Sequence, residues 1–184
     1  MAKSGQMIEN PIIGDRVLFR KTAQETDGEL LELEIFAQPA AAGPPVHIHP
    51  NSGETFTVLK GHLDAEVDGR TMQFGEGATF RVAPGVAHTW WNSGDVEAHV
   101  LVKFSPASRM ETFLETMYGL AKDGRTNEEG VPGFLQLAVI APHYFDVNHL
   151  ADPPLPVQKA LFGVLRPIGR LLGYQADYPY PYDS

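Results

Sequence analysis

Apolar and polar residues alternate one for one over 29–38 (ELLELEIFAQ). Leu31, Leu33, Ile35 and Ala37 fall on one face, and Glu32, Glu34 and Phe36 on the other. A period of two marks a half-buried strand. It returns over 62–67, where Leu63, Ala65 and Val67 oppose His62, Asp64 and Glu66, and Asp68-Gly69 then supplies a two-residue hairpin signal. Further strands are expected over 54–59, 70–74, 78–82, 87–92 and 96–104, bounded by Lys60-Gly61, residues 75–77, Pro84-Gly85 and Ser93-Gly94-Asp95. Short strands so closely spaced, with no helical pattern between them, predict an antiparallel barrel or sandwich and argue against parallel βαβ units.

The period changes near Ser105. Phe113, Leu114, Met117 and Leu120 lie at helical spacing, with Ser105 (before Pro106) and Ser108 (three before Glu111) as candidate N-caps. Residues 133–141 (GFLQLAVIA) read as a short apolar helix bounded by Pro142, and 152–156 (DPPLP) as a stiff connector. From 157 to 172 the apolar residues 161, 164, 165, 168, 171 and 172 oppose Gln158, Lys159, Arg166 and Arg170, an amphipathic helix kinked at Pro167. The tail YPYPYDS should be extended. The chain thus divides into a β-barrel or jelly-roll sandwich over 1–104 and a helical C-terminal extension over 105–184, which packs on the barrel or on a dimer partner.

Composition narrows the chemistry. The 184 residues contain no cysteine, so disulfides, thiolate ligands and a cysteine nucleophile are excluded. Any metal must take histidine, carboxylate or water. The net charge of −9 disfavours nucleic acid, which requires a basic footprint. No apolar run approaches a membrane span, and the first residues lack a signal-peptide pattern, so a cytoplasmic protein off the membrane is expected.

Candidate chemistry concentrates in PVHIHPNSGETFTVLKG, residues 45–61. On an extended segment His47 and His49 point the same way and Ile48 the other. The turn Pro50-Asn51-Ser52-Gly53 returns the chain, and Glu54 opens the next strand with Phe56 and Val58 on its face. If that face is the barrel interior, Glu54 meets both imidazoles. His88, which opens a later strand whose parity it shares with Trp90 and Asn92, is the fourth candidate. Three imidazoles and a carboxylate would hold one divalent transition metal (Fe, Mn, Ni, Co, Zn or Cu) and leave positions open for water, O2 or substrate.

These residues resemble the two conserved motifs of the cupin superfamily. The first, G-x5-H-x-H-x3–4-E-x6-G, is met by His47, His49, Glu54 and Gly61; Ala41 stands where its opening glycine belongs, and Gly43 follows two positions later. The second, G-x5-P-x-G-x2-H-x3-N, is met by Gly77, Gly85, His88 and Asn92, with its proline displaced by one to Pro84. The motif core spans 41–92. The resemblance to small single-domain cupins, including quercetinase-like bacterial ones, implies a 3-His-1-Glu metal centre and an O2-dependent dioxygenase acting on a small enolic or phenolic compound. Glu54 would serve there as ligand or as general base. Phe56, Val58 and Trp90 would line the substrate pocket. The alternatives are a metal-dependent isomerase and a non-catalytic cupin that binds or carries a small ligand.

The remaining histidines read differently. His62 and His99 fall on outward faces, and His143 and His149 are surface or packing residues. Asn92 is expected to tie down its turn. Trp91 and Phe36 should face outward, where the C-terminal helices could cover them. A homodimer is expected, because an open barrel leaves strand edges and the apolar helix face needs cover.

Overall fold

The computed structural model describes residues 2–40 and 43–182. Ala41, the position of the missing motif glycine, lies outside the described residues. Among the described residues, eleven strands form two antiparallel sheets, and three helices follow or interrupt them. The strands are β1 (Met7–Glu9), β2 (Arg16–Lys21), β3 (Leu31–Ala37), β4 (His47–Ile48), β5 (Gly53–Lys60), β6 (His62–Val67), β7 (Arg70–Gly75), β8 (Thr79–Val82), β9 (His88–Trp91), β10 (Ala98–Ser105) and β11 (His149–Leu150). The first sheet runs β1-β2-β3-β10-β5-β8 and the second β11-β4-β9-β6-β7.

Alternation sets the core between the sheets. Leu31, Leu33 and Ala37 are fully buried on β3, while Glu32, Glu34 and Phe36 stay partly exposed. Across the first sheet Leu33 pairs with Val102 and Ile35 with Val100, so one face of both strands enters the same core. The outer face is polar but ordered. His99 stacks on Phe36 with ring centroids 4.3 Å apart and reaches Glu34 Oε2 at 2.8 Å. Arg16 also lies over the Phe36 ring, 4.8 Å from its centroid, and pairs with Glu97 at 2.6 Å. Phe36 is therefore covered by its own sheet's side chains, not by the helices as the sequence allowed.

The pattern of β2 (Val17 and Phe19 inward) is readable but short, and β1 and β11, three and two residues long, fall below any periodic signal. Helix α1 (Met110–Lys122) begins after Arg109; neither Ser105 nor Ser108 caps it, and Ser108 itself has φ +52°. Helix α2 (Phe134–Tyr144) continues through Pro142, which the sequence took as its boundary. Pro142 has no N–H to donate to the carbonyl four residues back, and the helix ends two residues after it. Helix α3 (Leu155–Leu171) contains Pro167 and packs on α2 through Phe162 and Gly169, where a Cβ would meet Val139 and the Leu135 carbonyl.

Residues 177–182 of the tail form no helix, as expected, and return across α1, while Asp183 and Ser184 lie outside the described residues. Tyr178 donates to Gln136 Oε1 at 2.8 Å, Tyr182 donates to Glu115 Oε1 at 2.8 Å, and the Tyr180 hydroxyl accepts from Glu9 N at 3.0 Å. The extension also enters the second sheet. Through β11, His149 pairs with Ile48 and Leu150 with His47.

Candidate metal centre

Both sheets contribute to one polar cluster in an otherwise apolar interior. Register does the positioning. On the first sheet Glu54 sits between Phe104 of β10 and Val82 of β8, facing inward. On the second, His47 of β4 lies directly opposite His88 of β9, with ring centroids 4.4 Å apart. His49 follows β4 by one residue and shares the parity of His47. Its backbone carbonyl accepts from Gly85 N at 2.9 Å, so the Pro84-Gly85 turn is hydrogen-bonded to the His-x-His segment despite the displaced proline.

All four side chains are at most 7% exposed, and one donor atom from each lies within 4.8 Å of the others. His88 Nε2 is 2.8 Å and His49 Nε2 3.4 Å from Glu54 Oε2. The Nδ1 atoms all point away from this centre, each at a backbone carbonyl: His47 to Pro45 O at 2.8 Å, His88 to Val86 O at 3.0 Å and His49 to Val147 O at 2.9 Å. A carbonyl only accepts, so each Nδ1 carries a proton and each Nε2 turns inward, as a lone pair for a metal in the neutral ring or as an N–H donor to Glu54 where His49 or His88 carries a second proton. Histidine ligands are commonly oriented this way around a metal. Two of these atoms, His47 Nε2 and His49 Nε2, are 3.2 Å apart, a contact that requires a proton or a cation between them.

Electrostatics lead the same way. Burial, with the neighbouring His49 and His88, pushes His47 down to about 3, so its lone pair is free over the whole physiological range. Burial alone would raise the Glu54 carboxyl, but hydrogen bonds from His49 and His88 outweigh it and hold it near 2. Burial likewise opposes a charge on His49; the hydrogen bond and charge of Glu54 and the Val147 carbonyl prevail and raise it. A carboxylate and three imidazoles, buried and turned inward, fit a divalent transition ion by donor type and number.

Around this cluster the expected pocket residues are placed unequally. Phe56 and Val58 are core side chains at 1% and 0% exposure, Phe56 stacking on Phe80 at 4.7 Å. Half-buried Trp90 turns inward beside a crevice of ≈140 Å³ shared with Ile35, Phe56, Leu63, Val100 and Val102, too narrow for water. Asn92 is 1% exposed and ties down its turn, donating to Ala37 O and Val96 O and accepting from Gly94 N. His62 lies at the surface beside Ser93 and Asp64, away from the cluster. His143 stays in the extension, whereas His149 occupies β11 beside the ligand strand. What sequence reasoning missed is the Val147 carbonyl, which as a backbone group in an irregular stretch leaves no side-chain signature.

Two antiparallel sheets enclosing a cluster of three histidines and one glutamate define a β-sandwich of the cupin type. Residues 34–104 match the family described as a cupin domain. It is 31% identical over 164 residues to an Aspergillus niger protein named "Probable oxidoreductase yanE", and 26% identical over 150 residues to "Probable oxidoreductase virH" of Hypocrea virens. The aligned regions take in 79% and 74% of this chain, but only 62% and 67% of those relatives. Among solved structures, an RmlC-like cupin from Shewanella frigidimarina aligns with a TM-score of 0.50 at 24% identity, over 60% of this chain and 94% of its own. A predicted oxalate decarboxylase from Thermotoga maritima gives 0.50 at 15% identity, over 58% and 98%. At such identities these structures speak for the fold alone. No helix among the described residues is long and apolar enough to cross a membrane.

Proposed function

We propose that this protein is a metal-dependent oxidoreductase that acts on a small enolic or phenolic compound with O2, holding one divalent transition ion through His47, His49, Glu54 and His88. The observation that carries this reading is the inward convergence of three imidazole Nε2 atoms on a buried carboxylate, with each Nδ1 turned to a backbone carbonyl. The names of the two fungal relatives support an oxidoreductase, as activities of longer proteins. The bound ion would supply electrophilic and redox chemistry. Glu54, ionised at neutral pH, would be a ligand or, released from the ion, a base for the substrate hydroxyl. Burial of the cluster would keep bulk water from a reacting substrate.

The narrow crevice beside Trp90 favours a second reading, a non-catalytic cupin that holds its ion or a small ligand without turnover. Oxygen uptake by Fe(II)-, Ni(II)- and Mn(II)-loaded protein over a panel of flavonols and β-diketones separates the two. Metal-dependent uptake with any of them supports the oxidoreductase. Stoichiometric metal without uptake across the panel supports the carrier, and no stoichiometric metal sinks the oxidoreductase and the ion carrier alike.

We further propose that the chain self-associates through the outer face of α3. Val157, Leu161, Val164, Ile168 and Leu171 recur at spacings of four, three, four and three, and are 42–88% exposed. That is the spacing of a helix–helix seam, self-complementary about a two-fold axis. Lys159, Arg166 and Arg170 lie on the far side of the helix, clear of mutual repulsion across such a seam and poorly placed to flank an apolar face on a lipid surface. Light scattering should give a dimer for the native chain and a monomer for Val164→Glu/Ile168→Glu; a native monomer at micromolar concentration would refute it.

A further inference from the structure

Among the three imidazoles, only His49 is oriented from outside the barrel. Its acceptor, Val147 O, is 98 residues away in the segment joining α2 to β11. That segment forms a strap. Val147 N and Asn148 N both donate to Tyr144 O, at 2.8 and 2.7 Å, turning the chain out of α2. Asn51 Nδ2 donates to Asp146 O at 2.8 Å, β11 pairs with β4, and Ala151 N donates to Val46 O at 3.0 Å. The strap therefore crosses the residues on both sides of His47 and His49.

One side chain pins its start. Arg109, immediately before α1, donates from Nη2 to His143 O at 2.7 Å, in the last turn of α2, and to Asp146 Oδ1 at 2.6 Å. Its Nη1 lies 3.0 Å from His143 Nε2, and its guanidinium sits over the Tyr144 ring at 5.1 Å. Tyr144 is 1% exposed, so this ring is a fixed platform. The ion pair with Asp146 is solvent-exposed and contributes little by itself. What the fork supplies is geometry: it binds a carbonyl at the helix C-terminus and the strap's first carboxylate at once.

We propose that Arg109 is a positioning residue of the metal centre, holding the 145–151 strap so that the Val147 carbonyl fixes the ring angle and tautomer of His49. The inference rests on the metal-binding reading above. It makes the helical extension part of the site's outer shell, and it predicts that loosening the strap weakens metal binding through one ligand of four.

The test uses the full chain and cobalt(II) as probe. Its titration is followed by the visible d–d bands, with hydrogen exchange measured on the loaded protein. Arg109→Ala should weaken cobalt binding about tenfold, the lower end for loss of an outer-shell partner. It should also shift the bands and speed exchange of the 145–151 amides, while β5 and β10 stay protected. Arg109→Lys keeps a cation without the fork and should recover only part of the affinity. Asn51→Ala, which frees the strap at its exposed Asp146 carbonyl, should move affinity and bands in the same direction by less, and serves if Arg109→Ala does not fold. Native affinity and native bands in Arg109→Ala, or in Asn51→Ala where only it folds, would overturn the proposal and leave the metal reading standing, provided Glu54→Ala binds no cobalt. Native protein that gives no cobalt bands, or bands unaltered in Glu54→Ala, would remove the metal reading and this inference with it.

Discussion

The three histidines of the candidate centre are held in two different ways. His47 and His88 each turn Nδ1 to a carbonyl two residues upstream, Pro45 O and Val86 O, so an extended segment entering a strand orients its own ring. His49 relies on Val147, delivered by a helix, a turn and a two-residue strand. The first pair needs only the barrel. The third needs the extension to dock. One cluster thus combines a self-orienting half with a half that depends on a long-range contact, whose ordering entropy must be met by packing elsewhere.

The largest effect should come from removing a group both halves share. Glu54 lies within 3.4 Å of Nε2 of both His88 and His49, so Glu54→Ala takes away the only anionic donor of the cluster. Bound metal should fall by at least ~100-fold in affinity, beyond the range for outer-shell changes, and elemental analysis of purified variants reads it directly. His49→Ala should do the same. If either retains stoichiometric metal, the site is elsewhere and the contrast between its halves has no meaning.

A second variant acts on the barrel half alone. Gly43 has φ +66°, and a Cβ there would stand 1.6 Å from the Trp90 carbonyl oxygen of β9, the strand that begins at His88. Backbone cannot rotate away from such an overlap, so Gly43→Ala must displace the segment leading to His47, or β9 itself. We expect a loss of about 2–4 kcal/mol in chemical denaturation. Metal affinity should fall too, without the faster strap exchange expected of Arg109→Ala. Unchanged stability would mean that this close approach does not constrain the barrel half.

The two halves also differ in how far the sequence reveals them. Alternation at 47–49, the turn at 50–53 and the parity of His88 suffice to bring four side chains together, because each rests on the fixed period of an extended chain. Leu31, Leu33 and Ala37 were legible for the same reason. The β11 pairing was not: two residues carry no period, and their partner strand is also two residues long. Nor was the strap, whose role passes through backbone carbonyls that any residue supplies. Gly43 shows an intermediate case. Its displacement from the motif's glycine position is visible in sequence, but the contact that demands glycine appears only when β9 is in place.

The smallest effect tests whether the barrel and its extension titrate together. Asp15 is 2% exposed and accepts from Gln38 N at 2.9 Å. Burial, opposed by that hydrogen bond and aided by Glu97, raises it from 3.8 to about 6, and burial, aided by the charge of Asp15, raises half-buried Tyr118 of α1. A raised acid binds its proton more tightly in the folded state. The stability it contributes is complete below the unfolded value of 3.8 and is lost as pH rises through about 6. At 1.36 kcal/mol per pH unit this amounts to no more than roughly 3 kcal/mol. Asp15→Asn keeps an acceptor for Gln38 N and removes the titration, so its stability advantage over the native chain should be larger at pH 7 than at pH 4.5 in guanidinium denaturation. Asp15 makes no hydrogen bond to the strap or the ligands among the described residues, so cobalt affinity at pH 7 should be the same in both. Equal pH dependence of stability in the two proteins would show that Asp15 does not titrate in this range. A cobalt affinity that changes with Asp15 would show that the His49 half senses the whole interface under α1, and not the Arg109 strap alone.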